Sequence, residues 1–400
     1  MGKNKIRFIS ILIIMILFAT GVNVNAQEGV KIKENPENEE LSIESKSAVL
    51  IEASTGKILF EKNKGEKLPP ASITKIMTML LTMEAIDEGK ITLKDQVPIS
   101  EQASKMGGTQ LFLEPGEKRT VEELLTGVAV ESANDAAAAL GEYIGGTYRS
   151  FIKMMNDEAK KLGMKNTQFK NANGLPEEGH YSSAYDIALM SKELVRHPKI
   201  HQYLTIWMTD INVGKNSDKT RTLANTNKLL KNYEGLDGIK TGYTSEAKHC
   251  LSATAKKGNL RLISVVLGAE DSKMRFDEAA KLLDYGFANY EGLNIVEKGE
   301  EVQKVSIEKG KISTMMAVAE EPLNILMEKG EKNNIEEKVV LKSSYVAPIK
   351  KGQKLGEFIA YSGDKEVGKV NLVAKESVKK SGFFTTYKKI LNSWANPIKE

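Results

Sequence analysis

Ser72 and Lys75 stand three residues apart in Leu68-Pro-Pro-Ala-Ser-Ile-Thr-Lys-Ile-Met-Thr-Met-Leu-Leu81. On a helix that spacing puts an amine within reach of a hydroxyl. The first-turn N–H groups lack intrahelical partners, and the helix dipole favours negative charge there. A serine beside an amine at the positive end of a buried helix is a candidate activated nucleophile. The same Ser-x-x-Lys spacing recurs at Ser54/Lys57, Ser150/Lys153, Ser245/Lys248, Ser306/Lys309, Ser362/Lys365 and Ser377/Lys380. Those pairs read as chance neighbours on solvated faces, so context must single out Ser72. Two further motifs supply it: Ser132-Ala-Asn134, the only Ser-x-Asn of the chain, and Lys240-Thr241-Gly242.

The elements around these residues follow from pattern. Pro69 and Pro70 stop any earlier helix. Ile73, Ile76, Met77, Leu80 and Leu81 then recur at helical spacing, and Gly89 ends the run. Ser132 lies between a helical run and an alanine-rich one. Ser132 and Asn134 can both face a cleft only if the backbone turns between them. Asp135 could cap the following helix, the plainer structural role for this stretch. Ser47–Glu52 and Ile58–Glu61 flank Ser54-Thr-Gly-Lys57 and predict a β-hairpin; 250–255 and 260–268 read as strands around the Lys256-Lys-Gly-Asn259 turn. Asn173-Gly-Leu175 and 181–186 predict a loop followed by a capped helix, and 274–290 returns to helix.

With 400 residues, two domains plus tails are expected. The 41% hydrophobic and 28% charged shares are those of a soluble globular protein. The formal charge of +4 includes Lys3, Lys5 and Arg7 of a segment expected to be removed, so nothing points to nucleic acid. Cys250 is the single cysteine, which excludes a disulfide framework and a cysteine-cluster metal site. His197 and His201 stand four apart, but Pro198 intervenes and no glutamate follows His197. Zinc hydrolysis is therefore not expected, nor any cofactor.

Residues 1–26 read as a secretory signal, with a basic start, the apolar run Ile9–Ala19 and Val24-Asn-Ala26 before Gln27. Residues 27–40 read as a polar linker, 41–291 as the catalytic domain, and 292–379 as a small all-β domain of short strands and Gly/Lys turns. In 380–400, Phe383, Phe384, Tyr387, Ile390, Leu391 and Trp394 share one helical face near Lys379, Lys380, Lys388 and Lys389. That is the form of an amphipathic helix lying on an anionic membrane surface. The body of the protein is expected outside the cytoplasm, peripherally attached to the outer face of the membrane.

The three motifs, in this order, with Pro70-Ala-Ser-Ile-Thr-Lys-Ile-Met-Thr78, Ser132-Ala-Asn-Asp-Ala-Ala137, His180-Tyr-Ser-Ser-Ala-Tyr-Asp186 and Asp237-Gly-Ile-Lys-Thr-Gly-Tyr-Thr244, resemble the serine D-alanyl-D-alanine carboxypeptidases, the low-molecular-mass penicillin-binding proteins. The resemblance extends through the β-like domain and the tail. It implies an α/β penicillin-recognising fold, an antiparallel sheet flanked by helices with a helical subdomain and the active site in the cleft between. It also implies roles. Ser72 attacks the carbonyl between two terminal D-alanines of a peptidoglycan stem peptide. Lys75 is the general base, its pKa pushed down by burial and by Lys240. Ser132 relays a proton to the leaving amine, and Asn134 holds the substrate amide. Lys240, Thr241 and Gly242 bind the terminal carboxylate or orient the peptide, and Arg275 assists with the carboxylate. The backbone N–H groups of Ser72 and Tyr243 form the oxyanion hole. β-Lactams would be covalent inhibitors.

The nearest rival is a serine β-lactamase, which needs a Glu-x-x-Leu-Asn loop between the second and third motifs. The only match, Glu320-Glu-Pro-Leu-Asn324, falls beyond the third. An endopeptidase or transpeptidase with the same serine, and a sensor that acylates without turnover, are further readings.

Overall fold

The computed structural model describes residues 41–216, 218–330 and 335–382. The expected secretory signal, the linker and all but the first residues of the amphipathic tail lie outside them. Three described residues of the tail, Lys380 to Gly382, are not helical; Lys380 bridges to Gly310.

A five-stranded, wholly antiparallel sheet runs in the order β2-β1-β5-β4-β3, with β1 Ser47–Glu52, β2 Ile58–Lys62, β3 Leu236–Thr244, β4 Lys248–Lys257 and β5 Leu260–Ala269. Every residue of β1 is buried, as expected of a strand covered on both faces. Val49, Ile51, Ile263, Val265 and Leu267 face a core shared with α1 Lys75–Asp87 and α5 Ala184–Leu194. Leu50 and Leu262 face the other way, onto α6 Ser272–Asn289, where a side chain at Gly286 would collide with both. β3 is left as the sheet edge.

The helical layer comprises α1, α2 Val121–Val130, α3 Asn134–Gly145 and α4 Tyr148–Lys161, joined by α5. Side-chain caps set their starts: Thr120 and Glu123 form a reciprocal capping box at α2, Thr147 caps α4, Ser183 caps α5 and Asp271 caps α6. The stripe expected of α1 understates its burial, for it is buried on all sides from Lys75 to Met83. It is the central helix of its layer, packed on α2, α3, α4 and α5.

A second, all-β unit follows. Its six-stranded sheet runs β10-β12-β13-β8-β7-β11, with β7 Glu301–Glu308, β8 Thr314–Ala319, β10 Ile335–Leu341, β11 Ser344–Val346, β12 Lys354–Ser362 and β13 Lys365–Ala374. β6 Tyr290–Val296 pairs with β9 Leu323–Glu328, and the unit has its own apolar core. Among the described residues no helix is long and apolar enough to cross a membrane.

Candidate active site

Ser72 stands in a 3₁₀ turn, Ala71–Thr74, that runs directly into α1. The turn, rather than the first turn of an α-helix, sets its orientation. Ala71 adopts φ +46°, an uncommon conformation for a residue with a Cβ. The loop at Asn171–Gly174 presses on this turn so closely that a Cβ on Gly174 (φ +86°) would lie 1.8 Å from the Ala71 carbonyl oxygen. Only glycine fits there.

Lys75 Nζ lies 2.9 Å from Ser72 Oγ and 2.7 Å from the carbonyl of Asn173. The lysine is fully buried. Burial lowers its pKa well below the usual lysine range, the Lys240 cation lowers it further, and Asp135 opposes both. A neutral amine can donate to the Asn173 carbonyl and turn its lone pair towards the serine hydroxyl.

The second motif enters from the loop between α2 and α3. Ser132 takes φ +69°, and that left-handed residue is the turn that lets 132 and 134 face one space. Both are buried. Asn134 Nδ2 donates to the carbonyl of Gly107 at 2.5 Å, and its backbone N–H to Thr109 at 2.7 Å. Asp135 is not the cap of α3. Its carboxylate accepts from the N–H groups of Leu111 (3.0 Å) and Leu113 (3.1 Å), so it fastens the 107–113 loop beside the motif, with one oxygen also on Ala136 N–H. Burial raises its pKa against these hydrogen bonds.

The third motif lies on the edge strand β3, packed against the serine turn. A Cβ at Gly242 would approach the Pro70 carbonyl to 3.0 Å and Ala71 Cβ to 3.2 Å. Lys240 is buried, and burial together with the nearby Arg275 brings its pKa down to about 7. Thr241 Oγ1 donates to Thr226 Oγ1 at 2.6 Å. Arg275, at the start of α6, is 8% exposed and donates to the Gly242 carbonyl at 3.1 Å and to Ser272 Oγ at 3.2 Å. It therefore grips the strand from inside. Tyr243 is 57% exposed, its ring tilted over His249 with centroids 4.5 Å apart.

The fold thus draws all three motifs to one place, and adds Asn173, Asp135 and Thr226, whose parts the sequence does not announce. Their contacts span 98, 24 and 15 positions of chain. His197 and His201 turn instead to carboxylates, Asp87 at 2.7 Å and Asp237 at 3.1 Å. The Glu320 carboxylate accepts from Asn371 inside the β unit.

Residues 32–271 match the family described as D-alanyl-D-alanine carboxypeptidase. The chain belongs to that family. Residues 290–380 of this carboxypeptidase match a second description, penicillin-binding protein 5, C-terminal domain. The D-alanyl-D-alanine carboxypeptidase DacF of Bacillus subtilis is 49% identical over 356 residues, 89% of this chain and 91% of the relative. Among solved structures, penicillin-binding protein 5 from Haemophilus influenzae superposes with a TM-score of 0.67 at 32% identity, covering 85% of this carboxypeptidase and 98% of that protein. Penicillin-binding protein D2 from Listeria monocytogenes, in its ampicillin-bound form, gives 0.55 at 33% identity over 62% of this chain and 99% of its own.

Proposed function

We propose that this carboxypeptidase removes the C-terminal D-alanine from peptidoglycan stem pentapeptides through an acyl-enzyme on Ser72. The observation that carries the reading is the buried Lys75 amine, 2.9 Å from the Ser72 hydroxyl and held below its usual pKa by burial and Lys240. Neutral Lys75 takes the proton as Ser72 Oγ attacks the carbonyl carbon of the penultimate D-alanine. The oxyanion forms against the N–H groups of Ser72 and Tyr243. Ser132 passes a proton to the departing D-alanine nitrogen. Water then hydrolyses the ester and returns the serine. Asn134 holds the acyl-donor amide, and Lys240 and Thr241 on the edge strand take the terminal carboxylate. Arg275 supports that end of the site; its hydrogen bond to the Gly242 carbonyl holds the strand that carries Lys240 and Tyr243, and its bond to Ser272 Oγ steadies the guanidinium on α6.

A β-lactam mimics the same acyl bond and would leave a lasting penicilloyl ester on Ser72. The ampicillin-bound relative supports this, as does a Glu320 engaged elsewhere. The secretory start and the aromatic, basic tail support action at the outer face of the membrane. The test is release of free D-alanine from N-acyl-Lys-D-Ala-D-Ala. Wild type should release it and Ser72→Ala should not. Release undiminished in Ser72→Ala would remove the serine from the reaction. Rapid turnover of penicillin without a lasting adduct would favour the β-lactamase reading.

A further inference from the structure

The two peptide groups offered to the oxyanion share a feature: each has its carbonyl gripped from behind by a buried side chain. For the Gly242–Tyr243 peptide the grip is Arg275, 3.1 Å from the Gly242 oxygen. For the Ala71–Ser72 peptide it is a chain of three hydrogen bonds. The backbone N–H of Lys170 donates to His180 Nδ1 at 3.0 Å. A backbone N–H can only donate, so Nδ1 is the acceptor and the ring hydrogen sits on Nε2. His180 Nε2 is 2.8 Å from Thr74 Oγ1, which therefore receives that hydrogen. The threonine hydroxyl then donates to the Ala71 carbonyl at 2.9 Å.

We propose that Thr74 and His180 are positioning residues that hold and polarise the Ala71–Ser72 peptide, aiming and strengthening the Ser72 N–H as an oxyanion donor. In a trans peptide the N–H points opposite to the C=O, so fixing one fixes the other. Hydrogen bonds in series polarise one another in a low-dielectric interior. Both side chains are buried, and Thr74 is wholly so. Burial lowers the imidazole pKa to about 4, which keeps the ring neutral and the relay's direction unique. A threonine bonding the carbonyl three residues back is commonplace in helices. What that ordinary bond does not require is a histidine 106 residues away donating into the same hydroxyl. Nor does it require the acceptor to be a residue at φ +46° clamped by Gly174. That conformation persists only where the surroundings over-determine it.

The inference rests on the reading of Ser72 as the acylated residue. Its test uses the whole chain and a penicillin labelled with ¹³C at the β-lactam carbonyl. Three quantities are read: the non-covalent dissociation constant, the acylation rate, and the infrared stretch of the ester carbonyl in the acyl-enzyme. Thr74→Val should acylate about tenfold more slowly with pre-acylation affinity within about twofold, because a weakened oxyanion donor acts on the transition state. Its ester band should move to higher frequency, and Thr74→Ser should restore both. Should Thr74→Val fail to fold, His180→Leu makes the same comparison, with His180→Gln, which keeps a donor, as the rescue. Unchanged acylation and an unchanged band would overturn the relay. So would slow acylation with an unmoved band, which is what a merely structural residue gives. A wild-type chain with no ester on Ser72 would instead overturn the underlying reading, and the relay with it.

Discussion

At the scale of residues, chemistry depends on which lysine carries a proton. In the proposed reaction Lys75 serves as base only when neutral. Burial and the Lys240 cation lower its pKa, so acylation should climb as pH rises through that depressed value. Lys240→Met removes one of the two lowering influences. The Lys75 pKa then rises, and the acid limb of the acylation profile should move to higher pH; an unmoved limb would show that the cations are not coupled. Lys240 must be charged to hold a carboxylate, and burial with Arg275 places its pKa at about 7 in the free site. The KM for a carboxylate-ended peptide should therefore rise above that pH, while a substrate esterified at its terminus should show no such rise. Ser72, Lys75, Ser132, Asn134 and Lys240 are legible in the sequence because each belongs to a short motif. Asn173 is not, because it contributes a backbone carbonyl to Lys75 and its side-chain identity carries no signal. Asp135 is visible as a polar residue before an alanine run, but capping is the wrong role. Its partners Leu111 and Leu113 are set by the path of a distant loop.

At the scale of elements, close approaches fix the cleft. Gly174→Ala should lower stability by about 2–4 kcal/mol, because the new methyl would strike the Ala71 carbonyl in a conformation that already disfavours a side chain. Thermal unfolding and penicillin acylation should both fall; a normal acylation rate would show that the serine turn tolerates displacement. Asp135→Ala leaves three buried N–H groups without their acceptor and should cost about 2–4 kcal/mol in urea unfolding. The β1–β2 hairpin, the β4–β5 pair and α6 could be read from alternation, turn residues and helical spacing. The buried-all-round character of α1 could not, since it is decided by α2, α3, α4 and α5 packing around it. The hairpin of Met208–Val213 and Lys219–Ala224 carries no clear alternation in sequence, and its pairing is set by the fold around it.

At the scale of the whole molecule, an enzyme domain, an all-β unit and a C-terminal stretch rich in aromatic and basic residues follow one another in the sequence. The β unit was legible as a change of texture after residue 291, while its strand order, including the parallel pairing of β7 with β11, was not. Parallel register depends on long connections that leave no local mark. If the tail docks on anionic lipid, the mature chain should sediment with vesicles containing phosphatidylglycerol and be released by salt. Removing residues 383–400 should abolish sedimentation and leave kcat/KM on a soluble tripeptide unchanged. Sedimentation that survives the truncation would place membrane attachment elsewhere.

The most direct test of the account is mass spectrometry of the intact and digested chain after exposure to benzylpenicillin. The account predicts one penicilloyl group, carried by the peptide containing Ser72, lasting through the digestion and missing from Ser72→Ala. An adduct on another residue, or one that persists in Ser72→Ala, would contradict it.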